Sequence, residues 1–207
     1  MSVRNPKALK PSEELRDLRI LEELERNPLV SQRVLSHRCK MALGLTNACL
    51  SGMSKKGWIR VEGSNRRSVK YYLTAKGMSE KGRLTLKMIS HTMEQYSELK
   101  KIISRRLLEM KREGIQRIVF YGIGDEMEVS YATLQGLSLK LVGIVEDDDK
   151  CKPQFIFGYE LEPVSRIRDL KPDGILITSL TEIELKKEKI KVLIDRKKVC
   201  IKDICVS

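Results

Sequence analysis

The segment "RIVFYGIGDEMEVSY", residues 117–131, decides the fold of the second half of this 207-residue chain. After Arg117 it is continuously apolar up to Tyr121, which is typical of a parallel strand covered on both faces. Two glycines, Gly122 and Gly124, follow the strand, and the residues after them have a helical composition. The segment therefore predicts a buried strand that turns sharply into a helix, the repeating unit of an α/β domain.

The same alternation of strands and helices continues toward the end of the chain. A second buried strand is predicted in "LKLVGIVEDDD" (139–149), a short third strand in "FIFGYEL" (155–161), and a fourth strand that ends at Thr178-Ser179. A helix is predicted in 162–171, before the fourth strand, and the tail predicts a further helix and a last strand near 199–201. This half is therefore predicted to form a parallel sheet of about five strands.

The glycine turn carries unusual charges for a phosphate site. Helix N-termini attract anions through their free N–H groups and the helix dipole. Asp125 and Glu126 place two negative charges in that first turn, and Met127 stands where a third glycine would allow close approach. These residues disfavour a pyrophosphate ligand and leave open a neutral, hydroxyl-rich ligand or no ligand.

The first half of the chain is strongly basic. Residues 1–113 contain 25 Lys and Arg against 12 Asp and Glu, whereas residues 114–207 have a net charge of −1. This imbalance predicts that the first half binds a polyanion.

Three helices and a hairpin are predicted in this basic half. Leucines recur every three residues after Ser12, a second helix begins after Ser31 and buries Val34, Leu35 and Cys39, and a third ends at Gly57. "WIRVE" and "SVKYYL" predict two strands joined by the basic turn "GSNRR". The third helix is predicted to bury Leu43, Leu50 and Met53 and to present small and amide side chains that suit a DNA groove. The candidate DNA-contacting residues are Leu43, Leu45, Thr46, Asn47, Ala48, Ser51 and Lys55 of this helix and Arg66, Arg67 and Lys70 of the hairpin.

The stretch from Leu45 to Thr85 resembles the winged helix-turn-helix regulators of the MarR type, and most closely the branch associated with exopolysaccharide operons; the resemblance covers about residues 15–110. The resemblance rests on Asn47–Leu50, Lys56–Trp58 and the Leu-Thr-x-x-Gly step at Leu73–Gly77. It implies a dimeric regulator that binds double-stranded DNA. Ala42 departs from the pattern, because it stands where a hydroxyl side chain would cap the third helix.

A long helix is predicted to follow the winged domain and to join two copies of the chain. Its apolar residues have spacings of three and four, and a helix of this length extends beyond what a small winged domain can bury. The stripe consists of Ile89, Met93, Tyr96, Leu99, Ile103, Leu107 and Met110. We therefore predict a winged helix-turn-helix domain at 1–83, a dimerisation helix at 84–113 and an α/β domain at 114–207.

The second half resembles the Rossmann-like domains of redox-sensing repressors of the Rex kind, of CoA-binding proteins and of bacterial sugar acetyltransferases. The likeness rests on the Gly-x-Gly turn, "LVGIVEDD" and "DGILITS". It implies a small-molecule sensor for a nucleotide, CoA or nucleotide sugar, with an acid at the end of the second strand near a ligand hydroxyl. The residues so implied are Gly122, Ile123, Gly124, Asp125, Glu146, Asp147, Thr178 and Ser179.

The sequence gives little support for catalysis or for a metal centre. Both histidines, His37 and His91, lie in the basic half, and neither a Gly-x-Ser-x-Gly elbow nor a Walker lysine is present. The five cysteines include no Cys-x-x-Cys pair, and the acidic run 146–149 is interpreted as a solvated loop. We expect a cytoplasmic, non-enzymatic α/β protein without a membrane segment. The alternatives are a nucleotide-sugar or acyl-modifying enzyme with a basic docking module, and a DNA-bound scaffold that recruits a protein.

Overall fold

The computed structural model describes residues 12–63, 69–194 and 199–204, and the chain divides into two compact units, residues 1–92 and 93–207. We call them the first and the second unit. A single long helix, α4 (Ala75–Arg112), contributes residues to both. It begins earlier than residue 84, where the sequence predicted its start. None of the helices in the described ranges is long and apolar enough to cross a membrane.

The first unit contains the predicted three helices and hairpin. Serine side chains cap the first two helices as expected: Ser12 Oγ accepts a hydrogen bond from the Leu15 amide at 3.2 Å, and Ser31 Oγ accepts one from the Val34 amide at 3.3 Å. The elements that precede α4 are α1 (Glu13–Arg26), α2 (Gln32–Arg38), α3 (Leu43–Lys55), β1 (Ile59–Glu62) and β2 (Lys70–Leu73). The two strands pair antiparallel, with Glu62 opposite Lys70.

The core of the first unit forms between the apolar faces of these helices. Leu35 and Cys39 are buried as predicted, but Val34 is 43% exposed, contrary to expectation. Helix α2 has only seven residues and buries one face. Residues 35 and 39 lie one turn apart on that face, and residue 34 lies beside it. The buried residues of this core include Leu18, Ile20, Leu21, Leu24, Leu50, Met53, Ile59, Tyr71 and Leu84.

The Leu73–Gly77 step joins the hairpin to α4. Thr74 Oγ1 accepts a hydrogen bond from the Gly77 amide at 3.0 Å and donates one to the Gly57 carbonyl at 2.7 Å. A Cβ atom on Gly77 would lie 1.9 Å from the Trp58 carbonyl oxygen. Glycine is therefore required at position 77, because the first turn of α4 packs directly on the backbone before β1.

The second unit contains the predicted parallel sheet. Its strand order is β5-β6-β4-β3-β7-β8, in which five strands are parallel and β5 pairs antiparallel with β6 at one edge. The elements are β3 (Arg117–Tyr121), α5 (Asp125–Leu134), β4 (Lys140–Glu146), β5 (Phe155–Ile156), β6 (Tyr159–Pro163), β7 (Gly174–Ile177), α6 (Ile183–Leu193) and β8 (Cys200–Asp203). The connections reverse direction at β3, which places the topological switch point between β3 and β7.

Two local predictions for this unit were wrong. The segment 155–161 forms a hairpin instead of one strand, because Phe157 and Gly158 adopt φ values of 52° and 84° and so make a tight turn. The helix expected within 162–171 is a single 3-10 turn at Val164–Arg166. Val164 and Ile167 are both buried, and a spacing of three residues aligns side chains in a 3-10 helix.

Apolar side chains cover both faces of the sheet. Along β3, Ile118 and Phe120 belong to one buried cluster, whereas Val119 and Tyr121 belong to the other. The carboxyl-terminal part of α4 joins the first of these clusters through Ile103, Leu107 and Met110, all fully buried. The prediction that a second copy of the chain covers these three residues was therefore wrong, because the sheet of the same chain already buries them. The second unit therefore has a core on each side of its sheet, as the uninterrupted apolar strands predicted.

Candidate DNA-binding face and candidate ligand site

Helix α3 presents one face to the core of the first unit and leaves the other open. Its N-cap, Ala42, forms no side-chain hydrogen bond, as the sequence predicted, and Gly57 follows its end with φ of 74°. Leu50 and Met53 are buried in agreement with expectation.

Two residues of α3 lie differently from the prediction. Thr46 was expected on the outward face but is fully buried, and Leu43 was expected to point inward but is 41% exposed. Residue 46 lies one turn before Leu50 on the same face of the helix, so burial of Leu50 also buries Thr46. The Thr46 hydroxyl donates a hydrogen bond to the Ala42 carbonyl at 3.2 Å, which satisfies its polar atom inside the core.

The remaining predicted DNA contacts of this helix are accessible. They lie on the side of α3 that faces away from the core, and we call them the outward face of α3. Its members are Leu45, Asn47, Ala48, Ser51 and Lys55, together with Gly44.

The hairpin that follows α3 is fixed to the rest of the first unit by Tyr71. The Tyr71 amide donates to the Pro28 carbonyl at 2.9 Å, and its hydroxyl accepts a hydrogen bond from Gln32 at 2.6 Å. Lys70 is exposed at the start of β2. Arg66 and Arg67, the predicted tip of the wing, lie outside the described residues.

The glycine turn lies next to the end of β7, at the switch point of the sheet. Thr178 Oγ1 donates a hydrogen bond to the Gly122 carbonyl at 2.6 Å. Gly122 has φ of 115°, and a Cβ atom there would lie 3.0 Å from Ser179 Cβ. We call the ends of β3, β4 and β7, with Gly122, Glu146, Asp147 and Thr178, the carboxyl edge of the sheet.

The carboxyl edge holds a buried network of charged groups. Glu146 and Asp147 are 6% and 3% exposed. Glu146 Oε1 accepts hydrogen bonds from Lys186 Nζ at 2.5 Å and from the Asp147 amide at 2.9 Å, while Oε2 accepts one from the Ile123 amide at 3.1 Å. Both carboxylate oxygens of Glu146 are thus occupied by the protein itself.

Asp147 is held in the same way from the other side. Its Oδ1 accepts hydrogen bonds from the Tyr121 hydroxyl at 2.5 Å and from Lys189 Nζ at 2.6 Å. Lys186 Nζ lies 3.6 Å from Asp147 Oδ2 and 4.1 Å from the centre of the Tyr121 ring. Lys186 is 3% exposed, so this ammonium group is enclosed by two carboxylates and an aromatic face.

These contacts determine the ionisation of the carboxyl edge. Burial alone would raise the pKa of Glu146, but the hydrogen bonds from Lys186 and the two amides lower it below its ordinary value. Burial would likewise raise the pKa of Asp147, yet the hydrogen bonds from Lys189 and Tyr121 lower it to about 2. For Tyr121, burial and the bond to Asp147 both raise the pKa. At neutral pH both acids are therefore carboxylates neutralised by lysines.

The other candidate ligand residues are more open. Asp125 and Gly124 are exposed at the start of α5, and Ile123 is partly buried beside them. The Ser179 hydroxyl donates to the Thr181 carbonyl at 3.0 Å. Met127 is 2% exposed and packs in the core below the turn. In the part of the chain that the structure describes, no cluster of His, Cys, Asp and Glu side chains could hold a metal ion.

Sequence reasoning missed Lys186 and Lys189, which come from α6. A signal was present, because Ile183, Lys186 and Ile190 follow helical spacing and so place Lys186 among inward positions. A lysine at an inward position of an amphipathic helix indicates a buried acidic partner.

Two family profiles match separate parts of the chain. Residues 14–60 match the family described as winged helix-turn-helix DNA-binding, and residues 114–200 match the family described as C2185-like, N-terminal. The first match, together with the three helices and hairpin, supports a winged-helix DNA-binding regulator with an α/β second half. A comparison with functionally curated proteins finds no significant match.

Several solved structures are similar to this chain at low identity. The Rex-family repressor RSP is 15% identical over 95% of this chain and 88% of its own, with a TM-score of 0.34. A MarR family transcription regulator is 18% identical over 47% of this chain and 74% of its own, with a TM-score of 0.32. PigF with SAH is 14% identical over 80% of this chain and 62% of its own, with a TM-score of 0.30.

Proposed function

We propose that this protein is a dimeric transcription regulator that binds double-stranded DNA and senses a small molecule in its second unit. The observation that carries the proposal is the outward face of α3, which lies exposed within a segment that matches a winged helix-turn-helix DNA-binding family. Because its proposed partner is DNA, we propose that the protein acts in the cytoplasm.

The charge of the chain supports the DNA-binding part of this proposal. The excess of positive charge lies in residues 1–113, while the rest of the chain has a net charge of −1. Cations near a duplex release condensed counterions, which supplies most of the affinity that is independent of sequence. In this proposal the outward face of α3 enters the major groove while Lys70, Arg66 and Arg67 contact phosphates.

A row of exposed apolar residues on α4 supports the dimer. Leu86, Ile89, Met93 and Tyr96 are 68%, 53%, 59% and 41% exposed. Their spacings of three, four and three residues are those of a coiled-coil seam. A second copy of the same helix would cover all four, which is why we propose a symmetric dimer along this part of α4.

The carboxyl edge supports the proposed sensor. Gly122, Glu146 and Thr178 converge at the switch point of the sheet, where ligands of open α/β sheets bind. Asp125 and Glu126 in the first turn of α5 disfavour a phosphate there, so we propose a ligand that presents hydroxyl groups to the turn. The exopolysaccharide resemblance makes nucleotide sugars the first compounds to test, before CoA and dinucleotides.

Salt-dependent binding to duplex DNA tests the central claim. The double variant Arg66→Ala/Arg67→Ala should weaken binding on every sequence and reduce the slope of log affinity against log salt by about 3.6, because the proposed dimer loses two phosphate contacts from each protomer. Fluorescence anisotropy across a salt series measures this slope. The proposal is wrong if the protein does not bind duplex DNA even at low salt.

Two charge substitutions test the dimer, one within the proposed helix–helix interface and one outside it. Met93→Glu should convert the protein to a monomer in sedimentation equilibrium, because it buries an unpaired carboxylate between two copies. Gln95→Glu adds the same charge at an exposed position about 200° around the helix from Met93 and should leave the dimer intact. A wild-type chain that sediments as a monomer would remove the dimer from the proposal.

The sensor is tested by calorimetry and by amide chemical shifts in solution. A nucleotide sugar, CoA or a dinucleotide should shift the amide resonances of Gly122 and Glu146 if it binds at the carboxyl edge. The sensor part of the proposal fails if no compound of these three classes moves either resonance.

A further inference from the structure

The outward face of α3 is uncharged along most of its length. From Leu43 to Ser54 the helix contains no Lys, Arg, Asp or Glu, and its first charged side chain is Lys55 in the last turn. This is unusual within a half of the chain that is otherwise strongly basic. The charge of the first half is therefore kept away from the part of the helix that would face base edges.

The arrangement of side chains on this face follows from helical geometry. Each residue advances by about 100° around the helix axis, so the row Gly44, Ala48 and Ser51 lies opposite the buried row of Thr46 and Leu50. A Cβ atom on Gly44 would meet no other atom within 4 Å. These small residues let the helix backbone approach the floor of a groove closely.

Two longer side chains flank that row. Asn47 is exposed on one side, and its amide has no hydrogen-bond partner within the described residues. Leu45, 39% exposed, lies on the other side. One flank therefore presents a donor and an acceptor, and the other presents an apolar surface.

The chemistry of base edges in the major groove decides what such a face can recognise. Guanine is read chiefly by Arg or Lys, which donate to its O6 and N7 acceptors. An Asn amide forms paired hydrogen bonds with adenine N6 and N7, and apolar side chains contact the C5-methyl group of thymine. From Leu43 to Ser54 the outward face of α3 has the second set of groups and lacks the first.

We propose that α3 reads A·T base pairs, with Asn47 on adenine and with Leu45 and Ala48 on thymine methyl groups. The inference rests on the proposed DNA-binding function and specifies the sequence class that this same face recognises. Lys55 lies eight residues beyond Asn47, about 12 Å along the axis, and contacts the phosphate backbone. The half-site under α3 is then an A·T-rich core.

Selection from a random duplex library with the full chain gives the first test. The expected result is an enriched core of A·T pairs in each half-site. An enriched core in which guanine is required under α3 would overturn the inference while leaving DNA binding intact. Failure to enrich or retain any duplex at low salt would instead overturn the proposed function, and the inference with it.

Modified bases in the selected duplex test the individual contacts. Replacing one core thymine by uracil removes only the C5-methyl group and should weaken binding roughly fourfold. Replacing the contacted adenine by 7-deaza-adenine removes one of its two hydrogen bonds and should weaken binding by roughly fivefold or more. If neither substitution at any core position changes the affinity, the proposed readout is wrong.

Matched variants assign the adenine contact to Asn47. In Asn47→Ala the penalty for 7-deaza-adenine should disappear, because the amide that bonds to N7 is absent. Thr46→Val, altered one residue away but inside the core, should retain the full penalty. Circular dichroism establishes that both variants are folded, and a penalty that persists in Asn47→Ala would contradict the assignment.

Discussion

The outward face of α3 and the carboxyl edge of the sheet are both candidate sites, but they differ in the exposure and hydrogen bonding of their polar side chains. On the outward face of α3 the side chains are exposed and, from Leu43 to Ser54, uncharged. At the carboxyl edge, Glu146 and Asp147 are buried, and each accepts a hydrogen bond from a lysine of α6. Polar groups on an exposed binding surface are free to form hydrogen bonds with an external partner. Polar groups in a buried network are already bonded to each other and stabilise the fold. Any ligand at the carboxyl edge must therefore compete with groups of the protein.

The largest effect is expected when the central cation of the carboxyl edge is removed. Lys186→Met should lower the free energy of unfolding by about 3–5 kcal/mol, because Glu146 loses the one cationic partner it has among the described residues while it remains buried. Urea unfolding measures the loss. Lys191→Met, on an exposed position of the same helix, should change stability by less than about 0.5 kcal/mol. Equal effects of the two substitutions would show that the network is not the stabilising feature.

Acid should weaken the carboxyl edge before it affects the outward face of α3. The pKa of Asp147 lies near 2 in the folded protein and near 3.8 ordinarily, so its contribution to stability is present above pH 4 and is lost as the pH falls toward 2. That difference corresponds to about 2 kcal/mol. The lowered pKa of Glu146 acts in the same direction.

Urea midpoints at pH 7, 5 and 3 measure this dependence. Asp147→Asn should be less stable at neutral pH but should lose less stability between pH 5 and pH 3 than the wild type does. Asp149→Asn, at an exposed position two residues away, should keep the wild-type slope. Identical slopes for Asp147→Asn and the wild type would contradict the role assigned to Asp147.

The smallest effect is expected on α3 itself. Gly44→Ala should stabilise the free protein by about 0.5 kcal/mol, because alanine is the better helix former and its Cβ meets no other atom. The same change should weaken DNA binding, since the added methyl group would stand between the helix and the groove. Gly82→Ala in α4, which also has open space, should stabilise without changing DNA affinity. A Gly44→Ala variant that binds DNA as well as wild type would show that the backbone does not approach the bases closely.

Much of the fold could be predicted because local signals and global packing agree. Ser12 and Ser31 start their helices, and the apolar run before Gly122 becomes the central strand of five parallel ones. The prediction for 155–161 failed because a strand-like composition concealed a tight turn. The run 155–161 has strand composition throughout, but positive φ values at Phe157 and Gly158 divide it into a hairpin.

By itself, the sequence determined the three helices and hairpin of the first half, the alternation of strands and helices in the second, the concentration of positive charge in residues 1–113 and the uncharged composition of α3. These are properties of residues close together in the chain, and they depend on periodicity, capping and counting. The tertiary structure decided that Thr46 is buried while Leu43 is exposed, and that Lys186 neutralises Glu146 from 40 residues away. Such outcomes depend on which face of a helix meets the core and on which distant side chain can reach a buried charge. Packing and desolvation fix both: helical spacing indicates that Lys186 lies at an inward position, but it does not identify Glu146 as its partner.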